Sequence, residues 1–320
     1  MERFKNILCV ISPSDNCETA LDRAVSLSEN TQAALTVIDV VEPVTAGIGL
    51  SEGGPVSADL QAVINADRLQ ALQRITEPYR EKMEIRHDVL NGTGFVEIIR
   101  AVLRNGHDLV IKPAENPGFM ERIFGSDDMQ LLRKCPCPVW LMQPNEKSNY
   151  ESIVAAVDFD PMEPDTVTQG LNLEILDVSS SLAISDFAAL HLVHAWDVPE
   201  AGFVELWSDN PEEARSNLFR TASARHDQSM QLLRKKLQER VGKEAYEYLS
   251  PRVHTLHGAA KTVIPEMATR LQADLVVMGT VARTGIAGFL IGNTAEAILD
   301  QLKCSVLALK PPGFVTSVKL

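Results

Sequence analysis

The chain repeats itself, and this constrains its fold more than any single motif does. Asp108-Leu109-Val110-Ile111-Lys112-Pro113 answers to Asp274-Leu275-Val276-Val277-Met278-Gly279. Leu132-Arg133-Lys134-Cys135-Pro136-Cys137-Pro138-Val139-Trp140-Leu141-Met142 answers to Leu299-Asp300-Gln301-Leu302-Lys303-Cys304-Ser305-Val306-Leu307-Ala308-Leu309. The openings correspond too, Phe4-Lys5-Asn6-Ile7-Leu8-Cys9-Val10-Ile11 against Tyr150-Glu151-Ser152-Ile153-Val154-Ala155-Ala156-Val157. The spacing between copies widens along the chain, so the second copy carries extra residues. Two domains are expected, 1–146 and 150–312, joined by the polar Glu146-Lys147-Ser148-Asn149. A chain of 320 residues is long enough for each to bury its own core.

Each copy alternates strand and helix patterns. In the first, the continuous apolar run at 7–11 predicts a strand buried on both faces, as in a parallel sheet, and further strands are expected at 35–41, 85–90, 109–112 and 139–142. Helical spacing follows at Ala20, Leu21, Ala24 and Leu27, over 60–79 and over 96–104. The second copy repeats the strands at 153–157, 190–195, 252–257, 275–278 and 306–309, with a long helix starting at Pro211. Proline followed by Glu212-Glu213 suits a helix start, where the missing N–H costs nothing and carboxylates meet the helix dipole. This alternation predicts two doubly wound, five-stranded parallel-sheet α/β domains, with ligands bound outside the carboxyl ends of the strands. Val139-Trp140-Leu141-Met142 and Val306-Leu307-Ala308-Leu309 would be apolar sheet edges, which must be covered. The two copies would meet that need as an intramolecular pseudo-dimer.

Composition narrows the partners. Thirty Lys and Arg against 43 Asp and Glu leave a net charge of −13, the wrong sign for gripping nucleic acid. The opening apolar run is too short for a signal peptide, and no stretch is long enough to enter a bilayer as a helix. A cytoplasmic protein without membrane insertion is expected. Five cysteines in a chain this long do not make a disulfide framework. Cys135-Pro136-Cys137 lacks the Cys-x-x-Cys spacing and reads as small buried thiols beside a core strand.

The candidate site follows the fourth strand of the second copy. Gly279 ends that strand, a small-residue loop carries Thr280, Ala282, Arg283, Thr284, Gly285 and Gly288, and Gly292-Asn293-Thr294 opens a helix. Glycine permits close approach, and a helix start offers free N–H groups, so such a segment can hold a phosphate. At this loop the chain resembles the universal stress protein family, whose nucleotide-binding members carry glycine, two residues, glycine, nine residues, then glycine and Ser or Thr. The spacing is kept as Gly279, Ala282, Gly292 and Asn293-Thr294, with Ala282 and Asn293 departing from the pattern. The resemblance spans the chain twice.

That resemblance implies an adenine nucleotide alpha hydrolase-like fold, a role in the stress response, and ATP or another adenine nucleotide, with or without Mg²⁺, as the small-molecule partner. It implies that Asp158, with Ala156 beside it, contacts adenine or ribose and that His194-Ala195 flank the base. Met278, Gly279 and Ala282 would line ribose and phosphate, Arg283 would add charge, and Gly292, Asn293 and Thr294 would cradle the triphosphate. The first copy departs: Ser12 replaces Asp158, Lys112-Pro113 replaces Met278-Gly279, and Asp127-Asp128 stand at a helix start, where carboxylates compete with phosphate. It is expected not to bind ATP.

No nucleophile–base–acid set, Walker motif or zinc-protease motif is visible, so binding rather than catalysis is expected. His194 and His257 end neighbouring strands, where with Asp158 they offer a divalent-metal set, against which packing or pocket lining is the expected role. Trp207, in the second copy's insertion, is a candidate lid. Two alternatives stay open: a carrier of a non-nucleotide, apolar molecule in the pocket around Ala282, Gly285 and Gly288, and a slow ATP hydrolase. Protein partners and a dimer of chains are open too.

Overall fold

A computed structural model of the chain describes residues 4–13, 17–44, 55–115, 126–143, 146–147, 149–168, 170–198, 209–280 and 292–320. The chain divides into two compact units, one holding the first repeat together with Ser305–Leu320, the other holding most of the second repeat.

In the first unit, β1 (Asn6–Val10), β2 (Ala34–Val41), β3 (Ile85–Asn91), β4 (Leu109–Pro113) and β5 (Val139–Met142) lie in the order β3-β2-β1-β4-β5, all parallel. Ile7, Leu8, Cys9, Leu109, Val110, Ile111 and the whole of β5 are buried, as their unbroken apolar runs require. The helices are α1 (Glu18–Thr31), α2 (Pro55–Thr76), α3 (Gly94–Asn105) and α4 (Ser126–Lys134). α3 stops at Gly106, which takes φ 65° and returns its N–H to the Val102 carbonyl.

The second unit repeats this order. It comprises β6 (Ser152–Ala156), α5 (Pro164–Val167), α6 (Gly170–Asp186), β7 (Ala189–Trp196), α7 (Pro211–Val241), α8 (Lys243–Leu249), β8 (Arg252–His257), α9 (Ala260–Arg270), β9 (Leu275–Gly279) and α10 (Asn293–Leu299). Its strands run β9-β6-β7-β8, parallel, the counterpart of β4-β1-β2-β3. One reason the Asp-Leu-Val motif recurs is visible in both units. Asp108 accepts the backbone N–H groups of Lys5 (2.6 Å) and Asn6 (3.1 Å), and Asp274 accepts those of Glu151 (2.7 Å) and Ser152 (2.9 Å). Each aspartate thus ties the start of the fourth strand of its repeat to the start of the first.

The fifth strand of the second repeat, β10 (Ser305–Leu309), belongs to the first unit. It pairs antiparallel with β5, Val306 opposite Leu141, Leu307 opposite Trp140 and Ala308 opposite Val139. Ser305 Oγ accepts the Gln143 N–H at 2.9 Å. The two apolar edges foreseen from sequence therefore cover each other, which is the intramolecular pseudo-dimer pairing. Among the described residues no helix is long and apolar enough to cross a membrane.

Candidate functional site

In the second unit, sheet order puts the candidate residues at a switch in strand order. From β6 the chain moves one way to β7 and β8, then returns to β9 on the other side of β6. The carboxyl ends of β6 and β9 therefore flank the switch in strand order, where doubly wound sheets bind ligands. Here Ala156 lies in register with Val193 on β7 and Met278 on β9. Asp158 follows at the sheet edge and is exposed. Ala195, half-buried near the end of β7, pairs with Leu256. Six of the expected residues, Ala156, Asp158, Ala195, Met278, Gly279 and Gly292, thus gather at or beside one edge, with Asn293 and Thr294 exposed in the first turn of α10.

The backbone of Asp158 is held by a residue that sequence reasoning did not single out. Asn172, on α6 and 4% exposed, accepts the Asp158 N–H through Oδ1 (3.1 Å) and donates from Nδ2 to the Asp158 carbonyl (2.8 Å). The same Nδ2 lies within donor reach of the carbonyls of Thr166 (3.1 Å) and Val167 (3.3 Å). Thr166 Oγ1 in turn accepts the Asp160 N–H at 2.8 Å. One buried amide thereby fixes both ends of the 158–167 turn. An Asn set among leucines and isoleucines at 171–176 was the available signal.

Gly279 has a steric reason to be glycine. A Cβ there would come within 2.7 Å of Leu171 Cδ2, so α6 packs directly on the end of β9. Just beyond, the Gly292 N–H donates to the Thr280 carbonyl at 2.9 Å and clasps the two ends of the candidate loop. Ala282 and Arg283 lie outside the described residues, as do Gly285, Gly288 and Trp207, so the expected phosphate loop, apolar pocket and lid have no geometry here.

His194 is not at the surface. It is 1% exposed and stacks on Phe159, ring centroids 3.7 Å apart. Its Nδ1 lies 3.2 Å from the Val157 carbonyl, which only accepts, so Nδ1 carries the proton and Nε2 accepts from His226 Nδ1 at 2.9 Å. His226, on α7, also stacks on Trp196 at 5.0 Å. His257 meets Trp196 and Phe219 edge-on and sits 3.5 Å from Asp197. The two strand-end histidines are parts of an aromatic wall, and among the described residues no three His, Cys, Asp or Glu side chains are grouped to hold a metal ion.

The corresponding edge of the first unit is filled by its own charges. Lys112 Nζ lies 2.7 Å from Asp128 Oδ1 and 3.4 Å from Glu115 Oε1, and Asp128 Oδ2 accepts the Glu115 N–H at 2.7 Å. Asp128 is fully buried. Burial raises the pKa of Glu115, and the neighbouring Asp128 charge raises it further. Where the second unit has Met278 and Ala295, the first has a lysine and its counter-ion.

The chain is similar to known proteins along its whole length. The universal stress protein family matches residues 3–143 and again 149–310. A protein named universal stress protein E from Photorhabdus laumondii is 30% identical over 100% of this chain and 99% of its own. A universal stress protein E homolog from Haemophilus influenzae is 32% identical over 97% of this chain and 98% of its own. Among solved structures, a functionally unknown protein from Pseudomonas aeruginosa PAO1 is 27% identical, covers 97% of this chain and 94% of its own, and superposes with a TM-score of 0.69.

Proposed function

Because the chain belongs to the universal stress protein family in two consecutive copies, we propose that it is a cytoplasmic stress-response protein that binds ATP or another adenine nucleotide in its second repeat. It acts by occupancy, through what the loaded protein presents to partners, rather than by catalysis. The observation that carries this reading is the β6–β9 switch point, where Ala156 and Met278 are in register and the exposed Asp158 follows on a backbone fixed by Asn172. A carboxylate there can accept hydrogen bonds from ribose hydroxyls or an exocyclic amine. Gly292, Asn293 and Thr294 lie on the phosphate side, with Gly279 allowing close packing behind them. Five free cysteines, all buried, suit a reducing compartment.

The Lys112–Asp128 pair supports a single site. A phosphate entering the first repeat would have to displace a buried carboxylate from its lysine, so nucleotide is expected in one copy only.

Isothermal titration of the full chain with ATP, with and without Mg²⁺, tests this. One nucleotide per chain is expected. Gly292→Asp, which puts a carboxylate against the phosphate path, should weaken binding at least about tenfold while leaving the thermal transition of the free protein nearly unchanged. At about 100 times the dissociation constant, nucleotide should stabilise the wild type by about 2.7 kcal/mol and the variant far less. Absence of any heat or thermal shift with ATP, ADP and AMP would remove the nucleotide reading.

A further inference from the structure

The first unit holds a thiol pair beside a buried ammonium group, and neither belongs to the nucleotide edge. Cys135 follows the last turn of α4 and Cys137 precedes β5, with Pro136 between them in a bend. Their Sγ atoms are 3.6 Å apart, an S–H···S contact rather than two thiols packed at random. Cys135 is 0% exposed and Cys137 8%, so solvent comes closest at Cys137. Lys310, 5% exposed at the end of β10, turns its Nζ onto the carbonyls of Leu132 and Arg133 at the end of α4, and lies 4.8 Å over the Phe314 ring. It therefore caps the negative end of the helix from which the dithiol leaves.

The electrostatics follow from that placement. Burial lowers the Lys310 ammonium to about 8, and both thiols act to hold it up. Burial acts to raise the Cys135 thiol, but the hydrogen bond from Cys137 and the Lys310 charge outweigh it, and the net shift is downward. The contact with Cys135, together with burial, pushes Cys137 well up. The two sulfurs are thus pushed in opposite directions, Cys135 toward easier loss of its proton and Cys137 toward keeping its own, the asymmetry that thiol oxidation uses.

We propose that Cys135 and Cys137 form a peroxide-oxidisable dithiol site, with Cys135 as the attacking sulfur, Cys137 as the resolving one, and Lys310 as the cation that holds the thiolate. Hydrogen peroxide, small enough to reach a buried sulfur, is the oxidant. The Cys135 thiolate attacks one peroxide oxygen, the O–O bond breaks, and hydroxide leaves to become water. Cys135 is then a sulfenic acid, oxidised by two electrons. The Cys137 sulfur attacks that sulfur, the S–O bond breaks, and the oxygen leaves as a second water carrying the Cys137 proton. The net change is two thiols and one peroxide to one disulfide and two waters. Closing 3.6 Å to a bond of about 2.05 Å asks for a side-chain displacement of about 1.5 Å.

Trypsin isolates the pair, because Lys134 and Lys147 flank it and residues 135–147 contain no other cysteine. The full-length protein is exposed to hydrogen peroxide, quenched, unfolded and alkylated with iodoacetamide. The 135–147 peptide is expected unalkylated and about 2 Da below its reduced mass, reverting with dithiothreitol, while Cys304 remains alkylated. Cys137→Ser should instead trap a sulfenic acid at Cys135 that reacts with dimedone, and Cys135→Ser should oxidise about tenfold more slowly than wild type. Lys310→Met should slow disulfide formation about tenfold near neutral pH, and Lys310→Arg should restore most of the rate. A peptide that stays doubly alkylated, or goes to sulfinic acid without a disulfide, overturns the dithiol site. Equal rates in wild type and Lys310→Met overturn the role of the lysine. The wild-type measurement stands whether or not the Lys310 variants fold.

Discussion

At the scale of single residues, the second unit keeps a histidine pair whose charge state feeds directly into stability. His191 Nδ1 lies 3.0 Å from His254 Nε2, across β7 and β8. Burial, with the charges of His254 and Arg252 adding to it, lowers the pKa of His191 to about 4. His254 is lowered as well, by burial and by Arg270 and Arg252. In the unfolded chain both would titrate near 6.5. Above that pH both states are neutral there and the pair costs nothing. As pH falls below about 6.5 the unfolded chain takes up protons that the folded one refuses, so stability falls until about pH 4, where His191 itself protonates. Urea midpoints measured from pH 7 down to 4.5 should therefore decline, and His191→Asn should flatten the decline. An unchanged slope in the variant would place the acid sensitivity elsewhere. The same scale separates the two repeats: Lys112 and Asp128 occupy in one what Met278 and Ala295 leave uncharged in the other.

At the scale of elements, the central strands were legible because they are buried on both faces and so must be short, mostly apolar runs, as β5, β6 and β10 are. β1, β4, β5, β6, β9 and β10 fall within a residue or two of their expected ends. α6 was not legible. Its buried positions, among them Asn172, Ile175, Leu176, Ser179, Ser180 and Ala183, fall on one face, but that face carries an Asn and two Ser while Leu171 and Leu173 lie off it, so hydrophobic spacing does not mark it. The aromatic wall was half legible: His194 and His257 sit at strand ends, but Phe219 and His226 come from a long, predominantly polar helix, and only the tertiary fold brings them in. The switch point beside the candidate residues was readable from the strand order, while Asn172, which holds the Asp158 backbone there, was not. Asn172→Ala is expected to cost about 1–3 kcal/mol in chemical denaturation, since it leaves the partly buried Asp158 N–H and carbonyl unpaired. Hydrogen exchange should speed up at residues 158–167 in particular. Uniform loss of protection across the second unit, with no excess there, would mean that Asn172 serves the core and not the turn.

At the scale of the molecule, the repeat and the packing unit are not the same thing. β5 is a buried strand of the first repeat, and its outer edge is completed by β10, which the second repeat supplies. An isolated first repeat would therefore present an apolar edge of Val139, Trp140, Leu141 and Met142 with unpaired backbone groups. Such an edge pairs with whatever strand is offered, and the strand most available to an isolated repeat is its own copy in a neighbouring molecule. Antiparallel pairing of β5 with β5 is compatible with a two-fold axis, so the product should be a closed dimer rather than a filament. Residues 1–147, expressed alone, should run as a dimer in light scattering at tens of micromolar (about 10–50 µM, a range in which an edge this apolar should not stay unpaired). Trp140→Lys, placing a charge where Leu307 now packs in register, should return it to monomer or prevent folding. A stable, well-folded monomer of residues 1–147 would show that the first repeat closes its own edge and does not need β10. Duplication within one chain, read this way, replaces an encounter between two molecules with an encounter between two segments already tethered. The antiparallel β5–β10 pair then forms at the effective concentration of a linker rather than that of the cell.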